Sequence, residues 1–230
     1  METKKFVYDY PHPAVTTDCV IFGFDGSNLK VLLIERGIEP FKGKWALPGG
    51  FLKMDETAEE GALRELEEET GLKNAYIRQF HTFTEPGRDP RERVITIAHY
   101  ALVRLQEVKG GDDAAQARWF AMDEIPPLAF DHDRILRLAQ KMLRERIHFE
   151  PVGFELLPET FTMKQLQNLY EAILDVHFDR RNFAKKMHHL ELLIQTDDMV
   201  RTSPKRESQL LRFNKEKYEE LKQKGFRLEF

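Results

Sequence analysis

Hydrophobic positions fall into short blocks through the first two thirds of the chain and into helical stripes through the last third. Asp18–Phe24 and Leu29–Ile34 are two apolar runs joined by Asp25-Gly26-Ser27-Asn28, a turn composition, and predict a β-hairpin. Trp45-Ala46-Leu47 leads into Pro48-Gly49-Gly50, and Trp45 is expected in the core. Further strands are expected over Ala75–Thr84, Val94–Val103 and Ala117–Phe120. A helix is expected from about His132 to Arg146, capped by Asp131 or Asp133; His132 is read as a local hydrogen-bonding residue, with a site residue as the alternative. Pro151, Gly153 and Pro158 then break the pattern, which places a domain boundary there. Beyond it, Leu166, Leu169, Tyr170 and Ile173 share one helical face behind Thr162, a good N-cap. Phe183, Met187 and Leu190 form the apolar side of a second helix running to Leu192.

One helix stands apart by its charge. Thr57–Thr70 opens with Thr57 and Glu60 in capping-box spacing and stops at Gly71, and Ala58, Ala62, Leu63 and Leu66 make a narrow apolar stripe. Glu65, Glu68 and Glu69 are three and four residues apart, so they crowd one side and repel. They also lie in the last turns, where the helix dipole favours cations. Arg64 is the one cation in the helix and can reach Glu68. A solvated acidic face is the plain reading. A divalent ion with oxygen ligands, Mg²⁺ or Mn²⁺, is the alternative.

The spacing around the helix decides between them. From Gly50, five residues lead to Glu56 and seven more to Arg64-Glu65-Leu66, followed by Glu68-Glu69 and Gly71-Leu72. This resembles the Nudix box, G-x5-E-x7-R-E-U-x-E-E-x-G-U with U a bulky aliphatic, at every fixed position. The resemblance runs from about Asp18 to His148 and implies cleavage of a diphosphate linked to a nucleoside, with metal ions neutralising phosphate and activating water. It further implies metal ligation by Glu65, Glu68 and Glu69, with Gly50 giving close backbone approach. Glu56 would support the site, Arg64 would orient the carboxylates, and Glu68 would serve catalysis. Glu85-Pro86-Gly87-Arg88-Asp89-Pro90-Arg91 resembles the stretch seen in ADP-ribose-type Nudix hydrolases, where a proline fifteen residues past the box glycine (Pro86 after Gly71) is also looked for. A plain solvated hairpin connection is the alternative for this loop. As an anion-binding loop it would offer Arg88, Arg91 or Arg93, with Arg36 at the end of the second strand.

The last third has its own chemistry. Arg180, Arg181, Lys185 and Lys186 lie off the apolar side of the second helix, with no acid between Arg180 and Leu190. A helix-turn-helix with a basic second helix fits a major groove, with Asn182 placed to read a base edge and the cations to grip phosphate. Thr196–Phe213 suits a β-wing carrying Lys205 and Arg206, and Thr162 is added to the DNA-binding set. A lid or dimerisation module is the alternative.

Together, the two halves resemble the Nudix-related transcriptional regulators, through Phe161-Thr162, Leu166-Gln167, Tyr170-Glu171-Ala172-Ile173-Leu174, Arg180-Arg181-Asn182-Phe183 and Phe130-Asp131-His132. The resemblance implies an α/β chain: an N-terminal Nudix α/β/α sandwich over residues 14–148, a linker over 149–158 and a winged helix-turn-helix over 159–230. It implies a homodimer that binds double-stranded DNA and senses a nucleotide sugar such as ADP-ribose. Many such regulators carry a degraded box. This one is complete, so a Mg²⁺-dependent hydrolase whose C-terminal domain serves assembly is the second expectation.

Composition adds bounds. The 230 residues carry a net charge of −4, negative before Pro151 and slightly positive after it, with no global nucleic-acid signal. The single cysteine, Cys19, excludes an internal disulfide and suits a reducing compartment. No apolar stretch reaches the length of a membrane span, and the polar N-terminus is not a signal peptide, so a cytoplasmic protein is expected.

Overall fold

The computed structural model describes residues 7–73, 75–108, 114–151, 153–203 and 206–225. Its first part is a seven-stranded mixed sheet organised on β1 (Ala14–Phe24). β1 pairs antiparallel with β2 (Leu29–Arg36) and β4 (Gly49–Phe51), and parallel with β6 (Val94–Leu102). β3 (Trp45–Ala46) and β7 (Ala114–Ala121) pair with β2, and β5 (Tyr76–Phe83) pairs with β6. β1 begins four residues before the expected Asp18. The extra residues, Ala14–Thr17, are not a strongly apolar run, but they pair with Val94–Ile97, a partner eighty residues away. β7 likewise outruns its apolar stretch because β2 templates it as far as Ala114.

Successive residues of a strand face opposite sides, and β1 is buried on both. Cys19 and Ile21 meet Ala62 and Leu66 of α1 (Ala58–Thr70). Val20 and Phe22 join Ile135, Ala139 and Leu143 of α2 (His132–Arg146) in the opposite core. The result is the expected α/β/α sandwich. Trp45 is half-buried, its ring edge-on to Phe120 at 4.7 Å.

The second part consists of α3 (Met163–Leu174), α4 (Arg180–His189), a hairpin of β8 (Leu193–Ser203) and β9 (Arg206–Phe213), and α5 (Lys215–Gln223). α4 ends before the expected Leu192, because the chain turns through a left-handed Glu191 (φ 55°) and sends Leu192 into the core. The core on the α2 side continues into this part through Leu166, Leu169, Ile173, Phe183 and Met187. Leu156 and Leu157, in a short 3-10 turn and just after it, are buried there too. The Arg144 Nε donates to the Ile173 carbonyl at 2.9 Å and Asn168 Nδ2 donates to the Gly26 carbonyl at 2.9 Å. Among the described residues no helix is long and apolar enough to cross a membrane.

Candidate functional site

The acidic side of α1 is built around Arg64. Thr57 Oγ1 accepts from the Glu60 N–H and Glu60 returns a bond to the Thr57 N–H, so the capping box starts the helix. Gly71 ends it at φ 75°, donating to the Glu67 carbonyl. The Arg64 guanidinium grips both oxygens of Glu56 at 2.6 and 2.9 Å, and donates to Glu65 at 2.6 Å and Glu68 at 2.9 Å. This fork holds the Glu56 carboxyl at about 2, well below its ordinary value.

Glu69 faces inward instead. It is 6% exposed, and its Oε2 accepts from the Gly49 N–H at 2.9 Å. Burial, reinforced by Glu65 and Asp18, outweighs that bond and pushes its carboxyl up to about 8. Burial also raises Glu65. The glycines of β4 permit this closeness: a Cβ at Gly50 would collide with the Glu65 carboxylate, and one at Gly49 with the Thr17 carbonyl. The donor set is therefore hard oxygen with too little positive charge, the chemistry of a divalent-cation site. It is not preassembled. Among the described residues, no three His, Cys, Asp or Glu side chains converge as a ready coordination group.

These residues line a cleft of about 320 Å³. Its floor is a buried polar network. Arg88, 5% exposed, forms a two-pronged bond to Asp131 at 2.7 and 3.1 Å and lies 3.5 Å from Asp18. Thr96 Oγ1 donates to Asp18 at 2.8 Å. His132 Nδ1 accepts from the Leu47 N–H at 2.9 Å, which leaves its proton on Nε2, 3.7 Å from Asp18. Burial lowers its pKa, so this imidazole is neutral.

The cleft's mouth is aromatic. Phe130 stands edge-on to Phe41 at 4.8 Å, with the Arg36 guanidinium 4.9 Å and the Arg91 guanidinium 5.8 Å from its ring centre. Arg91 also covers Phe51 at 5.2 Å and is held by Asp89 at 2.7 Å. Phe41 and Phe130 both have left-handed backbones (φ 64° and 52°), rare for bulky residues and a feature that clusters at functional sites.

Of the residues expected at this site, Gly50, Arg64, Glu65, Glu68, Glu69, Arg36, Arg88 and Arg91 line the cleft, and Glu56 is held to it through Arg64. Arg88 is committed to carboxylates in its floor. Arg93 is exposed and not part of the lining; its backbone carbonyl accepts from Ala14. Asp18 and Phe51 carried no local signal in the sequence, and Phe130 and Asp131 entered only as a possible cap and as part of the resemblance, since distant strands and loops assemble them into the site.

In the second part, Asp179 caps α4 by accepting from the Asn182 N–H at 2.9 Å. Phe183 and Met187 anchor the helix, which leaves Arg180, Arg181, Asn182 and Lys185 exposed or half-buried on its outer side, with Lys186 beside them. Thr162 is buried and spent on the capping box of α3 with Gln165. Arg206 opens β9, and Lys205 lies outside the described residues.

Comparison with known proteins agrees with this two-part construction. The NUDIX domain family matches residues 12–139 and the NrtR DNA-binding winged helix domain matches residues 153–213. The chain is 33% identical over 92% of its length, and 86% of the relative's, to the ADPR responsive transcriptional repressor NtrR of Acinetobacter baylyi. It is 44% identical to the ADP-ribose pyrophosphatase of Methanocaldococcus jannaschii over 56% of this chain and 73% of that one. Among solved structures, Shewanella oneidensis NrtR complexed with a 27mer DNA superposes with a TM-score of 0.76 at 30% identity, over 89% of this chain and 95% of that one. The NUDIX domain of the same NrtR complexed with ADP ribose superposes with a TM-score of 0.56 at 34% identity, over 59% and 94%. A complete Nudix box on a sandwich that shares its core with a basic helix-turn-helix, with both family models matched and one repressor relative covering 92% of the chain, makes this chain a member of the Nudix family, in the NrtR-type branch that carries a DNA-binding winged helix.

Proposed function

We propose that the protein is a cytoplasmic, homodimeric transcriptional repressor that releases DNA in response to ADP-ribose. The observation that carries this reading is the near full-length likeness to an ADPR responsive repressor, on a chain whose α4 turns Arg180, Arg181, Asn182 and Lys185 away from its buried side. In the cleft, Arg36 and Arg91 would meet a diphosphate and the rings of Phe51 and Phe130, now covered by those guanidiniums, would take a planar base; their common place in the cleft lining supports this. Glu65, Glu68 and Glu69, with the backbone of Gly50, would hold Mg²⁺ or Mn²⁺. Such an ion neutralises phosphate oxygens and lowers the pKa of bound water. For this, Glu65 and Glu68 must turn from Arg64, which Glu56 retains by its two-pronged grip. On DNA, the α4 cations would grip phosphate while Asn182 meets a base edge, and the β8–β9 wing would add to the backbone grip.

The test is fluorescence anisotropy with DNA from the gene's own upstream region. Salt-dependent binding should appear, weaken on addition of ADP-ribose, and disappear in Arg181→Ala/Lys185→Ala. Binding that ignores ADP-ribose, or survives the double substitution, refutes the reading.

A second activity is favoured by the complete box and the 44% identity to an ADP-ribose pyrophosphatase: hydrolysis of ADP-ribose to AMP and ribose 5-phosphate. It predicts Mg²⁺-dependent AMP release that Glu68→Gln abolishes. AMP release unchanged by that substitution rules it out.

A further inference from the structure

The N-terminus of α2 contains an unused cap. Asp131 stands at the N-cap position, where a carboxylate normally accepts a hydrogen bond from the second or third helical N–H. Here, among the described residues, it makes no side-chain cap bond. Its backbone (φ −100°, ψ 21°) lies outside the extended region typical of a capping residue, unlike Thr57 at ψ 165° and Thr162 at ψ 156°. Both its oxygens are instead given to Arg88. The residue before it, Phe130, is a bulky ring held in the left-handed region against the mouth of the cleft. The junction from Phe130 to His132 thus starts a helix without its side-chain cap while Asp131 is paired to Arg88 on the cleft floor.

Arg88 is also within the ligand's reach, since it lines the cleft. A guanidinium fork matches either a carboxylate or a phosphate. A nucleoside diphosphate entering the cleft competes with Asp131 for it. Once Arg88 is drawn off, Asp131 is free to cap α2, and Phe130–Asp131 can relax toward extended backbone. α2 is a rigid element of fifteen residues, and near its far end Arg144 donates to the Ile173 carbonyl in the last turn of α3 and lies 3.8 Å from Asp175. Asp175 ends α3, and four residues later Asp179 caps the basic helix α4.

We infer that Asp131 is a partner switch: it pairs with Arg88 when the cleft is empty and caps α2 when a nucleoside diphosphate holds Arg88, with α2 and Arg144 carrying the change to the helix-turn-helix. This rests on the regulatory reading above and adds its mechanism. Asp131 and Arg144 are positioning residues, not ligand contacts. Asp131 has two discrete arrangements here, and the ligand must bias them unequally.

Asp131→Asn decides it, because asparagine caps as well as aspartate but carries no charge for Arg88. The variant should behave as if partly liganded. Its DNA affinity without ligand should fall towards that of liganded wild type, and its ADP-ribose affinity should rise by about 5-fold or more. Arg144→Met should bind ADP-ribose as wild type does, while its DNA affinity stops responding to it. In wild type, hydrogen exchange at the Asp133 amide should slow when ADP-ribose binds, a readout that a merely structural role for Asp131 would not produce. Thermal melts confirm that each variant is folded. If Asp131→Asn binds both partners like wild type, or the Asp133 amide is unmoved by ligand, the switch is refuted and the regulatory reading stands. If wild type binds no ADP-ribose, the regulatory reading falls and the switch with it.

Discussion

Replacing Glu69 with glutamine tests whether the cleft is short of positive charge when it is empty. The carboxyl titrates at about 8 in the folded chain against an ordinary 4.5, because it is buried beside Glu65 and Asp18 with a single N–H bond in compensation. Between those two values the folded chain holds a proton that the unfolded chain has released. Stability therefore falls as pH rises through this window, by up to about 1.4 kcal/mol per pH unit. From pH 5.5 to 7.5 the loss is about 2.5 kcal/mol, a large share of a typical folding free energy. The glutamine side chain of Glu69→Gln would keep an oxygen for the Gly49 N–H and has no proton to lose. Urea melts of both proteins in EDTA should therefore diverge steadily with pH, wild type losing ground to Glu69→Gln as pH rises. Added Mg²⁺ should recover wild type at pH 8 and leave Glu69→Gln unchanged. If the two metal-free curves run parallel across the window, the burial argument is wrong, and the case for a cation there loses its electrostatic basis.

Three further outcomes follow from the packing. Gly50→Ala drives a methyl group into the Glu65 carboxylate, so Mg²⁺ binding by calorimetry should be lost while α1, held by its own caps, keeps its helical circular dichroism. Thr162→Ala removes the α3 capping box and should cost about 1 kcal/mol in urea melts; a loss under a few tenths would contradict the buried cap. Phe51→Ala should weaken ADP-ribose binding by about 10-fold, on the scale of an aromatic contact, and leave ligand-free DNA binding unchanged; an unaltered ligand affinity would remove Phe51 from the base platform.

Much of this was legible one segment at a time. The capping box and the glycine stop of α1 lie within that helix, because helical contacts reach only three or four residues. The same periodicity that buries Phe183 and Met187 leaves Arg180, Arg181 and Lys185 off the buried side. The wing was legible as a turn-rich stretch after a basic helix. The sequence by itself thus determined which residues are acidic neighbours, the capping boxes of α1 and α3 and which face of α4 is charged, but not the start of α2, where the expected Asp131 cap is absent because its carboxylate goes to Arg88.

Only the tertiary structure decided what those groups meet. Glu65, Glu68 and Glu69 look equivalent on a helical wheel, yet the sheet turns Glu69 inward to Gly49 while Arg64 takes the other two. Arg88 reads as a free anion-binding arginine, but α2 brings Asp131 to it from forty-three residues away. Phe51 and Phe130 share the cleft lining, bridged by Arg91, because β4 and the start of α2 come together there. The physical reason is one of range. Propensity, capping and charge spacing act within a turn or two of backbone, whereas burial and the pairing of buried charges depend on which distant surfaces the closed sheet places face to face.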